Sequence, residues 1–298
     1  MVAHGTSARG TSRGPEKWEI DMTDMLVAAG LASTGAPRPL DGKVAVITGS
    51  TGGIGLGIAR ALAAEGAMIV LNGFGDRDEI KMLCQTLGAR FDVAVSYDGA
   101  DISDPAAVVN MIERTRRGFG PVDILVNNAG IQHAAPLDDL PPETWDAIVA
   151  FNLSAAFHAA RAALAGMKQR GFGRIVNVAS APCLIASPFK SAYVAARHGV
   201  VGLTKVTALE AAPFGITCNA VCPGYVWTPL VEKQVEAQAQ TRGISREAVI
   251  HDVFLAEQPT RRFVTVEEIA GTVAFLCGEA AASITGVALP VDGGWTAH

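Results

Sequence analysis

An α/β domain with a parallel, doubly wound sheet is the fold this sequence predicts, and two observations predict it. Seven short Val/Ile-rich runs bounded by Gly, Pro or Asp recur from residue 43 onward, the composition of strands buried on both faces. Helical periodicity fills the gaps, as at 54–65, where Ile54, Ile58 and Leu62 return at one-turn spacing while Arg60 and Glu65 take other faces. Strict alternation of strand and helix calls for right-handed crossovers, with helices on both faces of a mainly seven-stranded parallel sheet.

The strands predicted are 43–48 (KVAVIT), 67–72 (AMIVLN), 91–97 (FDVAVSY), 122–127 (VDILVN), 173–179 (GRIVNVA), 215–221 (GITCNAV) and 286–291 (GVALPV). The chain has 298 residues, 49% of them hydrophobic, long enough to bury roughly three quarters of its unfolded surface. Residues 41–298 read as one domain. Residues 1–40 are rich in Gly, Ser, Thr and Pro at both ends, with one amphipathic piece, WEIDMTDMLVAAG. They read as a partly disordered extension, with Met22 or Met25 as an alternative start. Its opening lacks a continuous apolar stretch and carries acids, which disfavours a secretory signal.

Net charge is −5 with the basic residues scattered, so nothing draws the chain to nucleic acid or an anionic membrane. No run of about 18 apolar residues predicts a membrane span. Five cysteines (Cys84, Cys183, Cys218, Cys222, Cys277) form no CxxC pair. That usage suits a reducing cytoplasm, and Cys218 and Cys222 read as small buried residues. His133 has no ligand partners beside it, and no metal is expected.

In such sheets ligands bind at the carboxyl ends of the strands, beside the switch in strand order. TGSTGGIG, residues 48–55, follows the first strand and opens the first helix. Glycines there allow a sharp turn and close approach to a pyrophosphate at a helix start, although the spacing Gly49, Gly53, Gly55 departs from GxGxxG. The second strand ends LNGFGD, with Asn72 and Phe74 where a ribose-binding acid is usual. The glycine turn carries no basic residue to grip a 2′-phosphate, which favours NAD over NADP, with Arg77 as the counter-argument. Asp101 and Ile102, after the third strand, are placed to frame adenine.

In SAYVAARHG, Tyr193 and Arg197 stand four residues apart on a predicted helix, hence on one face. A free phenol ionises near pH 10, so a phenolic base needs positive charge beside it. At 4 Å and an effective dielectric near 20, a unit charge contributes about 4 kcal/mol. Arginine supplies that field but, unlike lysine, does not release a proton.

TGSTGGIG, NNAG (127–130), Ser180 and Tyr193, in this order, resemble the short-chain dehydrogenase/reductase family over residues 41–298. A closer resemblance, in NNAGIQHAAPLDDL, FNLSAAFHAARAAL, ASPFKSAYVAARHGVVGLTKV, CPGYVWTPLVEKQ and VDGGWTAH, is to its D-3-hydroxybutyrate dehydrogenase branch. The resemblance implies a Rossmann-like domain that interconverts (R)-3-hydroxybutyrate and acetoacetate with NAD. It implies catalytic positions at Asn152, Ser180, Tyr193 and Arg197. Cofactor positions follow at Thr48, Gly49, Thr51, Gly53, Ile54, Gly55, Phe74, Asp101, Ile102, Asn128, Ala129, Gly130, Tyr193, Arg197, Pro223, Gly224, Val226 and Thr228. Substrate positions are Gln132, Ser180, Lys190, Tyr193, Gln234 and Trp295, where Lys190 brings charge and the glutamines bring amide donors for a short hydroxy acid. A homotetramer through the helices near 104–118 and 142–169 and the tyrosine helix is implied too.

Two family positions are changed: Arg197 stands for lysine, and Pro182 for the histidine two after the serine. Residues 225–262 lack strand signals and read as a lid. Pro182 and Cys183 motivate an alternative, another small hydroxy or keto substrate; Arg197 and the extension motivate a second, a non-catalytic NAD-binding protein.

Overall fold

The computed structural model describes residues 38–297; most of the predicted extension, with both alternative starts, lies outside the described residues. At its edge, Leu40 is already buried and its N–H donates to Glu65 O at 2.8 Å.

Seven parallel strands form one sheet: β1 (Val44–Ile47), β2 (Met68–Asn72), β3 (Val95–Asp98), β4 (Ile124–Asn127), β5 (Gly173–Val178), β6 (Ile216–Pro223) and β7 (Ala288–Val291), in the order β3-β2-β1-β4-β5-β6-β7. Side chains alternate between two cores. Ala45, Ile47, Ile124 and Val126 face α1 (Gly53–Ala64), α2 (Arg77–Phe91) and a later helix, Val266–Cys277. Val46, Leu125 and Ile175 face α3 (Pro105–Gly118) and the helices that follow β4 and β5. Each wholly buried Ile or Leu contributes about 1.5–3 kcal/mol by leaving water. The chain reverses its direction of strand addition between β3 and β4, so the switch point opens between the carboxyl ends of β1 and β4.

One predicted strand is corrected. Of 91–97, only Val95 onward is strand; α2 runs to Phe91, and Asp92 ends it at φ +52. Phe91 packs on the same core as Leu83, so a helical contact claims the first half of a run that is apolar by either period.

After β4 the helix is continuous over Pro142–Arg170, made of α4 (Pro142–Val149), a π turn (Ala150–Ser154) and α5 (Ala155–Arg170). Among the described residues it is one helix long and apolar enough to cross a membrane by length and composition. Its apolar side is instead packed into the second core through Ala155, Ala159, Ala163 and Met167. The tyrosine helix is α6 (Ser191–Ala211); residues 225–262, the segment read as a lid, carry α7 (Pro229–Arg242) and α8 (Arg246–Val249), and α9 (Val266–Cys277) returns to the sheet.

Candidate active site

At the end of β1 the turn is built by close approach. Gly49 and Gly53 take φ +62 and +53, and a Cβ on Gly55 would overlap Gly49 O and come 2.6 Å from Asn128 Nδ2. Asn128 donates through Nδ2 to Thr48 O and Gly49 O at 2.9 and 3.0 Å. Thr48 Oγ1 accepts the N–H groups of Asn128 and Ala129 at 3.0 and 3.1 Å. NNAG is thus the splint of the glycine turn. Across from it, Thr228 caps α7 by accepting Val231 N–H, with its methyl 3.8 Å from a Cβ on Gly53. Ile54 is half-buried in the first turn of α1.

The far wall is mixed. Thr51 Oγ1 donates to Phe74 O at 3.0 Å, and Phe74 is 64% exposed between Gly73 and Gly75. Asn72 is buried and turned away, donating to Asp98 O and Ala100 O. Asp101 is exposed and caps Ser103, whereas Ile102 is buried in the second core.

A second group converges where β4, β5, α6 and the π turn meet. Asn152 occupies the π turn, a bulge typical of functional helices. Its Nδ2 donates to Ile148 O and Ile131 O at 2.9 and 2.8 Å, while Oδ1 is buried without a partner. Arg197, 6% exposed, donates from Nη1 to Val178 O at 3.0 Å, and its Cζ lies 5.3 Å from the Tyr193 ring centroid. Its Nε has no partner, and no carboxylate stands within ion-pair distance among the described residues. A Cβ on Gly130 would overlap Arg197 Nη2 and come 2.5 Å from Asn152 Oδ1. Thr48, Asn127, Asn152 and Arg197 line a cavity of about 10 Å³, the room one water takes. Ser180 follows β5 in extended conformation, its carbonyl accepting Cys183 N–H. Pro182 is buried in the turn between them.

Beside Lys190 lies an aromatic group. Tyr225 stacks on Trp295 (5.3 Å, 15°) and meets Phe254 edge-on at 4.9 Å; Trp227 tilts over Phe263 at 4.9 Å. Lys190, at the start of α6, places Nζ 5.8 Å from the Tyr225 centroid. Burial pulls its ammonium below the ordinary range, opposed by the neighbouring Tyr193. Trp295 is buried. Gln132 is exposed after β4, and Gln234 is half-buried on α7. The lid leaves and rejoins the sheet at one point, where Val226 bridges Val264. Gly224 donates to Val291 O beside buried Pro223, which holds this exit to β7.

Three contributors escaped the sequence. Gln258, wholly buried, accepts Tyr225 N–H at 2.5 Å and donates to Arg262 O at 2.8 Å, clamping the lid base; a glutamine in a polar loop gives no signal for this. Phe189 adopts φ +65, and its carbonyl accepts Ala135 N–H, joining the Lys190 approach to the loop after β4. Tyr225 carries its ring 5.8 Å from Lys190 Nζ and stacks on Trp295. Among the described residues no group of His, Cys, Asp or Glu could hold a metal.

Residues 49–296 match the family model described as "Enoyl-(Acyl carrier protein) reductase". D-beta-hydroxybutyrate dehydrogenase of Cupriavidus necator is 55% identical, over 87% of this chain and all of the relative. Its namesake from Rhizobium meliloti is 54% identical, over 86% and 99%. Among solved structures, L-sorbose reductase of Gluconobacter frateurii, complexed with NADPH and L-sorbose, superposes with a TM-score of 0.83 at 33% identity, over 88% and 100%. The glycine turn, where Gly49 and Gly55 leave no room for a Cβ, fits the nucleotide cofactor that this relationship brings. The chain belongs to the short-chain dehydrogenase/reductase family and is an oxidoreductase.

Proposed function

We propose that the enzyme oxidises (R)-3-hydroxybutyrate to acetoacetate, and reduces it in the reverse direction, with NAD. The observation that carries this is the buried, unpaired guanidinium of Arg197 beneath the Tyr193 ring. An uncompensated buried charge costs several kcal/mol, a cost offset when a phenolate forms next to it. Tyr193 takes the proton of the substrate hydroxyl, and Ser180 donates a hydrogen bond to the same oxygen as charge develops there. Asn152 holds the loop after β4 through Ile131 O. Lys190, with no carboxylate partner among the described residues, pairs with the substrate carboxylate. The nicotinamide nucleotide, when bound, supplies the hydride acceptor. Thr48 through Gly55 and Asn128 through Gly130 would hold it, together with Phe74 and Thr228.

NAD is preferred because the turn 49–55 has no basic side chain and Asn72 is committed to β3. Relatives at 54–55% identity named for this substrate support the reading. Pro182, which offers no donor beside Ser180, favours a second reading, another small hydroxy acid. NADH absorbance, measured with each of NAD and NADP against (R)-3-hydroxybutyrate and a panel of hydroxy acids, tests both. Turnover of the panel alone overturns the first. The tetramer proposed through α3, α4–α5 and α6 is checked by light scattering.

A further inference from the structure

Cys183 and Cys222 are 39 residues apart in sequence, yet their sulfur atoms lie 3.2 Å from each other. Cys183 closes the short turn after Ser180, its N–H donating to Ser180 O at 2.9 Å. Cys222 is the penultimate residue of β6, directly before Pro223 and Gly224. Both are buried, and Leu184, the next residue after Cys183, is exposed. We propose that Cys183 and Cys222 are a dithiol that hydrogen peroxide closes into a disulfide, shutting the active site reversibly.

The reaction balances with the peroxide as the named oxidant. The Cys183 thiolate attacks one peroxide oxygen; an S–O bond forms, the O–O bond breaks, and hydroxide leaves. The Cys222 sulfur then attacks the sulfenic sulfur, the S–O bond breaks, and water departs with the Cys222 proton. The net change is two thiols oxidised to a disulfide and one peroxide reduced to two waters.

Roles are assigned by surroundings. The hydrogen bond that the Cys222 thiol donates, opposed by burial and aided by Ser180 and Arg197, brings Cys183 down to about 7. The same bond and burial push Cys222 up, which keeps its proton in place until Cys183 has reacted. Closing a bond of about 2.05 Å draws the turn toward β6. Ser180 is hydrogen-bonded to that turn, and displacing a positioned group by about 1 Å costs up to about 10²-fold in rate.

The test treats reduced, full-length enzyme with hydrogen peroxide, then alkylates and maps peptides without reduction. Fragmentation must distinguish Cys222 from Cys218, which share a tryptic peptide. The expected product is a Cys183–Cys222 link, lighter by about 2 Da, with a loss of turnover of tenfold or more that dithiothreitol restores. In Cys222→Ser, Cys183 should proceed to sulfinic acid, and dithiothreitol should no longer restore activity. Cys183 and Cys222 remaining as alkylatable as in untreated enzyme would overturn the proposal, as would a link that leaves turnover unchanged. The effect on rate rests on the dehydrogenase reading; the peptide map reads sulfur alone and stands whatever substrate is turned over.

Discussion

Arg197 reaches Tyr193 and β5 at once: its Cζ lies 5.3 Å from the tyrosine ring centroid while its Nη1 donates to Val178 O at 3.0 Å. The guanidinium therefore ties the tyrosine helix to the strand that delivers Ser180. It provides field and position together, but a guanidinium, unlike an ammonium, is a poor proton relay.

Arg197→Lys should raise kcat by up to about 10²-fold, since a compact ammonium serves both the phenolate and a proton relay. Steady-state rates with (R)-3-hydroxybutyrate and NAD check it; an unchanged or lower kcat counts against the proposed division of labour. Arg197→Met separates charge from packing. Replacing a buried charge that has no ion-pair partner by an apolar chain removes a desolvation cost of several kcal/mol, less about 1 kcal/mol for the bond lost at Val178 O. The melting temperature should hold or rise while turnover falls by about 10² or more.

Gly130→Ala should damage the site without touching the glycine turn. Its Cβ meets Arg197 Nη2 and Asn152 Oδ1, both buried, so one must move. Overpacking of this kind costs about 1–3 kcal/mol. Denaturant unfolding reads the stability, and a fall in kcat larger than the rise in the NADH dissociation constant reads the position of the damage. Gly55→Ala is the complement. The clash there is with Gly49 O and Asn128, so NADH binding should weaken first.

The strands and the glycine turn were legible because burial on both faces leaves continuous apolar runs, and a tight turn at a strand end demands glycine. Residues Val95–Asp98 show where that legibility stops: FDVAV is apolar by either period, and only the packing of Phe91 settles it for α2. The positions proposed as catalytic stand in motifs, but what holds them in place was not readable. Asn152 to Ile131 O, Gln258 to Tyr225 N–H and Cys183 to Cys222 join segments 21 to 39 residues apart, and nothing local marks them. Phe189 at φ +65 opposes its own local preference, so no propensity argument could place it.

Thr265→Ala should test stability alone. Thr265 caps α9 in a reciprocal box with Glu268, its Oγ1 accepting Glu268 N–H at 3.1 Å and Glu268 accepting Thr265 N–H at 2.8 Å. Losing the cap costs about 0.5–2 kcal/mol. Thermal unfolding should shift by that amount with kcat unchanged, because α9 packs against α1 behind the sheet rather than over the site.

The thiol pair predicts a pH profile with a definite sign. Cys183 is held at about 7, first by the hydrogen bond from the Cys222 thiol and further by the Arg197 charge. Only the thiolate is alkylated, so labelling of Cys183 by iodoacetamide should be slow at pH 5.5, climb through about 7 and level off above it. Cys222→Ala removes the donor and leaves a buried thiol, so the climb should move to higher pH; Arg197→Met should move it the same way by less. Cys218 supplies an internal control, since burial pushes it up to about 12 and its labelling should stay negligible throughout. Quantitative peptide mapping follows both sites in one experiment. If Cys183 labelled no faster at pH 8 than at pH 6, the hydrogen bond between the two sulfurs would not be what poises the pair.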